Sequence, residues 1–134
     1  MLIDYAAITH RGRIRKNNED AYMVSAMDGD EPLVNQLPRL PNTCGRGLLL
    51  AVADGMGGAA AGEIASREGL MAMAVYMFGH WGRFPSAKGT DKDLFRALSG
   101  AAECANDSVL RYSDDDRTAR GMGSTLPAAV VWTG

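Results

Sequence analysis

The chain has 134 residues, 46% of them hydrophobic and 22% charged, with a formal net charge of -2. This balance fits one globular unit or a piece of a larger one, excludes the low-hydropathy, high-charge composition of a disordered tail, and offers nucleic acid no positive field. The apolar run over residues 70–78 is far shorter than the roughly 20 residues needed to cross a bilayer, so no membrane insertion is expected. Met1-Leu2-Ile3-Asp4-Tyr5 lacks the charged start and apolar core of a signal peptide, which points to the cytoplasm.

In chain order, β-branched and aromatic residues between polar turns predict strands near residues 2–9 and 20–27, paired as a hairpin with Arg15 on its loop. Residues 28–46 carry three prolines and read as a long loop of unassigned role. A strand over 47–54 follows, then glycines, then a helix from about Gly62 to His80. Its apolar stripe is Ile64, Met71, Val75 and Phe78, widened by Leu70, Met73, Ala74 and Met77, with the methionines as core packing. A second helix is expected from about Asp91 to Tyr112, capped by Thr90 or Asp91. Leu94, Leu98, Ala101, Ala105 and Tyr112 form its stripe, widened by Phe95, Ala102 and Val109. The two helices are expected to pack antiparallel over a sheet. Asp114-Asp115-Asp116 reads as a solvated turn, and the last strand, with Pro127 inside it and Ala128-Ala129-Val130-Val131-Trp132 after it, should start late, bulge, or turn its unpaired side outward at residue 127, because proline cannot donate to a ladder.

Three segments carry chemistry. Leu48-Leu49-Leu50-Ala51-Val52-Ala53-Asp54-Gly55-Met56-Gly57-Gly58 is an apolar strand that ends in one carboxylate among glycines, a pattern suited to a metal or phosphate site because the backbone can approach an ion closely. Gly12-Arg13-Ile14-Arg15-Lys16-Asn17-Asn18-Glu19-Asp20 sets basic residues directly before two carboxylates. On an extended chain Glu19 and Asp20 point to opposite faces, so one can meet a metal while the other holds the loop. The third segment, Arg120-Gly121-Met122-Gly123-Ser124-Thr125-Leu126, leads into the last apolar strand.

Together these segments resemble the bacterial form of the metal-dependent serine/threonine protein phosphatases of type 2C. The matches are Gly12-x-x-Arg15-x-x-Asn18-Glu19-Asp20, then Val52-Ala53-Asp54-Gly55-Met56-Gly57-Gly58 with Gly62-Glu63-x-Ala65-Ser66, then Gly121-Met122-Gly123-Ser124-Thr125-Leu126. The resemblance implies an α+β fold, part of a four-layer sandwich with antiparallel β-sheets at the centre and antiparallel helix pairs outside. It implies that residues 1–134 are the N-terminal portion of one such domain. The family's later Gly-Asp-Ser-Arg, Ser-Asp-Gly and Asp-Asn segments, which supply further metal-binding carboxylates, do not occur here, so the isolated chain is expected to be catalytically incomplete. Ala59 stands where relatives often carry His.

The implied chemistry is hydrolysis of phosphoserine and phosphothreonine in proteins with two divalent cations, Mn2+ or Mg2+. By the same resemblance Asp54 bridges both metals, the Gly55 carbonyl ligates one, Glu19 holds a metal-bound water, Asp20 orders the site, and Arg15 binds the substrate phosphate with its planar fork. Arg13 is the local competitor for that last role. The implied partner is a phosphorylated protein, the target of a serine/threonine kinase, and association through the incomplete sheet is a further expectation.

Other readings are weaker. Gly55-Met56-Gly57-Gly58-Ala59-Ala60 satisfies a loose dinucleotide-binding fingerprint, but Gly82-Arg83-Phe84-Pro85-Ser86 follows where a second parallel strand is required. A P-loop fails because Glu63 replaces its lysine. Cys44 and Cys104 make neither a zinc site nor an expected disulfide, and Leu50 and Leu110 occupy the positions where a Cys-x5-Arg phosphatase needs arginine. A noncatalytic, phosphatase-like interaction module is the alternative from a different class.

Overall fold

The computed structural model describes residues 3–27, 32–36, 46–57, 60–82 and 89–132. Four strands, β1 (Asp20–Ala26), β2 (Leu48–Met56), β3 (Gly123–Ser124) and β4 (Ala128–Val131), form one antiparallel sheet beside two helices, α1 (Ala61–Met77) and α2 (Asp91–Asp115). The fold is α+β, and the described ladders are all antiparallel, which removes the parallel βαβ frame that a dinucleotide site needs. The Cys44 position lies outside the described residues, as do Gly58 and Ala59; Cys104 is a free, half-buried thiol on α2. Among the described residues no helix is long and apolar enough to cross a membrane.

β2 is the central strand. β1 lies along one edge in a register that runs from Asp20 opposite Asp54 to Ala26 opposite Leu48. The other edge is shared: β4 pairs with residues 48–51 and β3 with residues 55–56. Pro127 sits at the break between them. Having no N–H to give, it contributes its carbonyl to Val52 N (3.0 Å), and the strand resumes at Ala128, a late start as expected.

The hairpin expected between residues 2–9 and 20–27 does not form. β1 is flanked on its outer edge by Val34, which bridges to Met23, and by Asn35, whose N–H donates to the Tyr22 carbonyl while its Oδ1 accepts from Tyr22 N. With both edges of β1 engaged, residues 3–9 have no ladder to join. They run over the sheet face instead, with Ile3, Tyr5 and Ala7 packed on Tyr22, Val24 and Leu48. The tip of that cover is thin, since Ile8 is 90% exposed and Val52 beneath remains 54% exposed.

The opposite face of the sheet carries the main core. Odd-numbered residues of β1 and β2, including Met23, Leu49, Ala51 and Ala53, meet Leu70, Met73, Ala74 and Met77 of α1, as strand and helix periodicities require. A π-type turn, Phe78–Gly82, continues from α1 and buries Trp81, whose Nε1–H donates to the Arg46 carbonyl (2.9 Å) and whose ring meets Trp132 edge-on at 5.0 Å.

The helix pair is antiparallel: Ser108 donates to Glu68, while further along Tyr76 reaches over Gly100. The expected stripes need correction. Met71 and Val75 are exposed on α1, and so are Phe95, Ala102 and Tyr112 on α2; the buried row of α2 is Ala97, Ala101, Ala105, Val109 and Ser113. Small side chains at four-residue steps let the helices approach closely, which turns the bulkier apolar residues outward.

Thr90 caps α2 in a reciprocal box: its Oγ1 accepts from Asp93 N (3.2 Å), and its own N–H and hydroxyl donate to the Asp93 carboxylate. The Thr90 hydroxyl, then the Thr90 N–H, hold the Asp93 carboxyl below its ordinary pKa. Its stabilising contribution is therefore present above the unfolded-state pKa and lost as pH falls through the lower folded value. Thr90→Ala is expected to cost about 1 kcal/mol. In thermal unfolding followed by circular dichroism, the gap from wild type should narrow as the medium is acidified below the ordinary carboxylate range; a constant gap would contradict the box.

At the other end of α2, Asp114 and Asp115 are exposed. Asp116 is put to local use, accepting from Thr118 Oγ1 and Thr118 N to start a short 3-10 turn. These bonds lower its pKa, the hydroxyl first. The triple aspartate is thus a helix end and a turn cap.

Candidate active site

The end of β2 is built around a close approach. A Cβ on Gly55 would lie 1.9 Å from the Gly62 carbonyl oxygen, and one on Gly62 would lie 2.8 Å from Glu19 Oε1. Two glycines therefore let the end of β2, the first turn of α1 and the Glu19 carboxylate share a space that no larger residues could share. Gly55 N donates to the Glu19 carbonyl (3.1 Å), which ties the start of β1 to the same point.

Asp54 is fixed from the other side by residues that the sequence reading did not single out for the site. Its N–H donates to Thr125 Oγ1 (3.1 Å), and its carbonyl accepts from Thr125 N and Ser124 Oγ. The third motif thus clamps the backbone of the second.

Glu19 and Asp20 diverge as their adjacency predicts. Asp20 stands directly opposite Asp54 in the strand register, both exposed, while the Glu19 carboxylate turns to the helix side and rests against Gly62. Two like charges opposite one another on paired strands repel, so this pairing is unfavourable until a cation lies near it.

A cavity of about 210 Å³ gathers Arg15, Glu19, Asp20 and Asp54, together with His10, Arg11 and Asn18. Four of the five predicted site residues therefore share one space. Gly55 does not line it; its carbonyl lies on the helix side against Gly62. Arg15 lines the cavity while donating to Glu19 Oε2 at 3.0 Å, with its side chain two-thirds exposed. An ion pair that exposed contributes little stability, and it engages only one of the guanidinium nitrogens. Arg11, not Arg13, is the second arginine of the cavity, with Nη1 bonded to the Lys16 carbonyl (3.2 Å). His10 and Arg11 carry no local signal, because the loop brings them to the site only by folding back on β1.

The donor set suits a hard divalent cation in kind: carboxylate oxygens of Asp20, Asp54 and Glu19, with no sulfur. It is short in number, since among the described residues no group of three or more His, Cys, Asp or Glu converges as a metal-binding cluster.

No family profile matches the chain. It is 32% identical over 123 residues to the serine/threonine phosphatase stp of Listeria monocytogenes serotype 4b, covering 92% of this chain and 40% of that protein. It is 31% identical over 128 residues to the serine/threonine protein phosphatase PstP of Mycobacterium tuberculosis, covering 96% of this chain and 19% of that one. The crystal structure of the mycobacterial phosphatase PstP/Ppp superposes on 96% of the chain with a TM-score of 0.63 at 29% identity, covering 42% of the solved chain. The chain is similar to bacterial serine/threonine phosphatases along nearly its whole length. It spans less than half the length of these relatives, and nearly all of its own residues, including all three motifs, take part in the likeness.

Proposed function

We propose that these residues are the N-terminal portion of a metal-dependent phosphatase domain that hydrolyses phosphoserine and phosphothreonine in proteins. The observation that carries this reading is the cavity that Arg15 lines together with Asp20 and Asp54, which stand opposite each other in the strand register. An anion-binding group and a cation-binding pair side by side suit a phosphate monoester, whose dianion repels the incoming nucleophile until its oxygens are neutralised.

Asp54 and Asp20 would hold the divalent cations, Mn2+ or Mg2+, with Glu19 at the cavity wall; the Gly55 carbonyl joins them only as the family likeness implies. When bound, such cations neutralise phosphate oxygens and make water acidic enough to act as nucleophile at neutral pH. Arg15 holds phosphate oxygens through N–H donors not engaged by Glu19. Ser124 and Thr125 keep the Asp54 backbone from drifting. Further carboxylates from outside the present set would be needed to complete two cation sites, so the 134-residue chain by itself is proposed to be a poor catalyst. A cytoplasmic location, a kinase-modified protein substrate and association through the incomplete sheet belong to the same proposal.

The test is hydrolysis of a phosphothreonine peptide by the complete polypeptide that carries these residues, with and without Mn2+. Arg15→Ala should lower kcat/KM roughly 10- to 100-fold, chiefly through KM, as expected for loss of hydrogen bonds to a charged group. Calorimetric Mn2+ affinity should hardly change. Normal kinetics in Arg15→Ala would remove the arginine from the site, and absence of metal-dependent turnover in the complete wild-type polypeptide would favour a noncatalytic interaction module.

A further inference from the structure

The loop that carries Arg15 also presents His10 to the site. His10 lines both the 210 Å³ cavity and a second, shallower one of about 340 Å³ on the face of Asp20 and Asp54. Its ring is oriented by the backbone: Gly12 N donates to His10 Nδ1 at 3.0 Å, in a turn that relies on the left-handed conformation of Gly12 (φ +76°). The preceding residue is anchored to β1, with Thr9 Oγ1 donating to the Asp20 carbonyl (3.3 Å) and accepting from Asn18 Nδ2 (2.8 Å). The ring is thus carried by a braced turn at the mouth of the phosphate-binding cavity.

A backbone N–H can only donate, so Nδ1 must accept, and the proton of the ring resides on Nε2. We propose that His10 is a substrate-binding residue whose Nε2–H donates a hydrogen bond to a phosphate oxygen of the phosphoserine or phosphothreonine substrate, beside Arg15. The assignment rests on the phosphatase reading and extends it to a residue outside the three motifs. It is a binding role and not a proton transfer: a ring whose Nδ1 accepts would become an anion on losing its Nε2 proton, so no bond to phosphorus or hydrogen is broken at His10. Arg11, tied to the Lys16 carbonyl, adds positive charge on the same rim without competing for the ring.

The decisive experiment combines spectroscopy with kinetics on the complete polypeptide. In magnesium, nitrogen-15 NMR should find His10 as the Nε2–H tautomer, and titration with inorganic phosphate should move its Nε2 resonance. His10→Phe, which keeps a ring and removes the donor, should raise KM for a phosphothreonine peptide about tenfold with a smaller change in kcat, as loss of one hydrogen bond to a charged group requires. His10→Gln, whose amide N–H can take the place of Nε2, should restore most of that loss. An Nδ1–H tautomer, a resonance indifferent to phosphate, or an unchanged KM in His10→Phe would each overturn the proposal. The phosphatase reading fails by a different signature, absence of metal-dependent turnover in the complete wild-type polypeptide, which the phosphate titration at His10 does not share.

Discussion

In the complete polypeptide, Asp54→Asn is expected to abolish the metal-dependent hydrolysis proposed above while leaving the fold intact. Asp54 is exposed at the end of β2, and its backbone is held by Thr125 and Ser124 through groups the substitution does not touch. The side chain itself stands opposite Asp20, so removal of its charge relieves a repulsion of roughly 0.2–1 kcal/mol across the strand pair. The metal-free variant should accordingly melt at or slightly above the wild-type temperature. Addition of Mn2+ should then separate the two proteins: a ligand that binds the native state raises stability by about 2.7 kcal/mol at a hundredfold excess over its Kd, and the variant should lose most of that increment. Turnover of a phosphothreonine peptide should fall by at least about 100-fold, the scale for removing one electrostatic contributor to the transition state. Paired melting curves with and without Mn2+ check the first part and steady-state rates the second. A variant that still gains full stability from Mn2+ would show that Asp54 holds no cation.

The second large effect is expected at Gly55, and there the fold itself should fail. A Cβ at this position would lie 1.9 Å from the Gly62 carbonyl oxygen and 2.9 Å from that of Glu19, both of them backbone atoms with no rotamer to escape into. Gly55→Ala must push the end of β2 away from α1 or from β1, breaking the Gly55 N to Glu19 carbonyl bond that starts the strand pair. A loss of about 3 kcal/mol or more is expected, at the upper end for overpacking. Urea unfolding of Gly55→Ala beside Gly79→Ala is the appropriate comparison, because a Cβ at Gly79 meets nothing within 4 Å. The two proteins carry the same added methyl group, so equal midpoints would refute the close approach as the reason for glycine here.

Several features of the fold and site were legible in the sequence because they depend on neighbours along the chain. Adjacent residues of a strand alternate sides, which assigned Glu19 and Asp20 to opposite faces. Proline has no N–H, which delayed the last strand to Ala128. Thr90 was one of the two residues expected to cap α2, and the structure selects it. The three glycine-bearing motifs carried the family likeness, and four of the five residues taken from it meet in one cavity.

Tertiary structure decided what depends on distant partners. Residues 3–9 have a strand-like pattern, yet the edge of β1 that they would need is taken by Val34 and Asn35, a competition invisible to local periodicity. Helix spacing marked broad apolar stripes on α1 and α2, but the seam fell on alanines, because the separation of two helices is set by the smallest side chains between them. The opposition of Asp20 to Asp54 follows from the register of strands 34 positions apart. His10 and Arg11 reach the site through the path of a loop. By itself, then, the sequence determined the face of each strand residue, the caps and the breaks, since these arise within a few bonds of backbone. Which carboxylates oppose each other, which helix faces meet and which basic groups rim the cavity were decided only when long-range pairing selected one register and one packing distance.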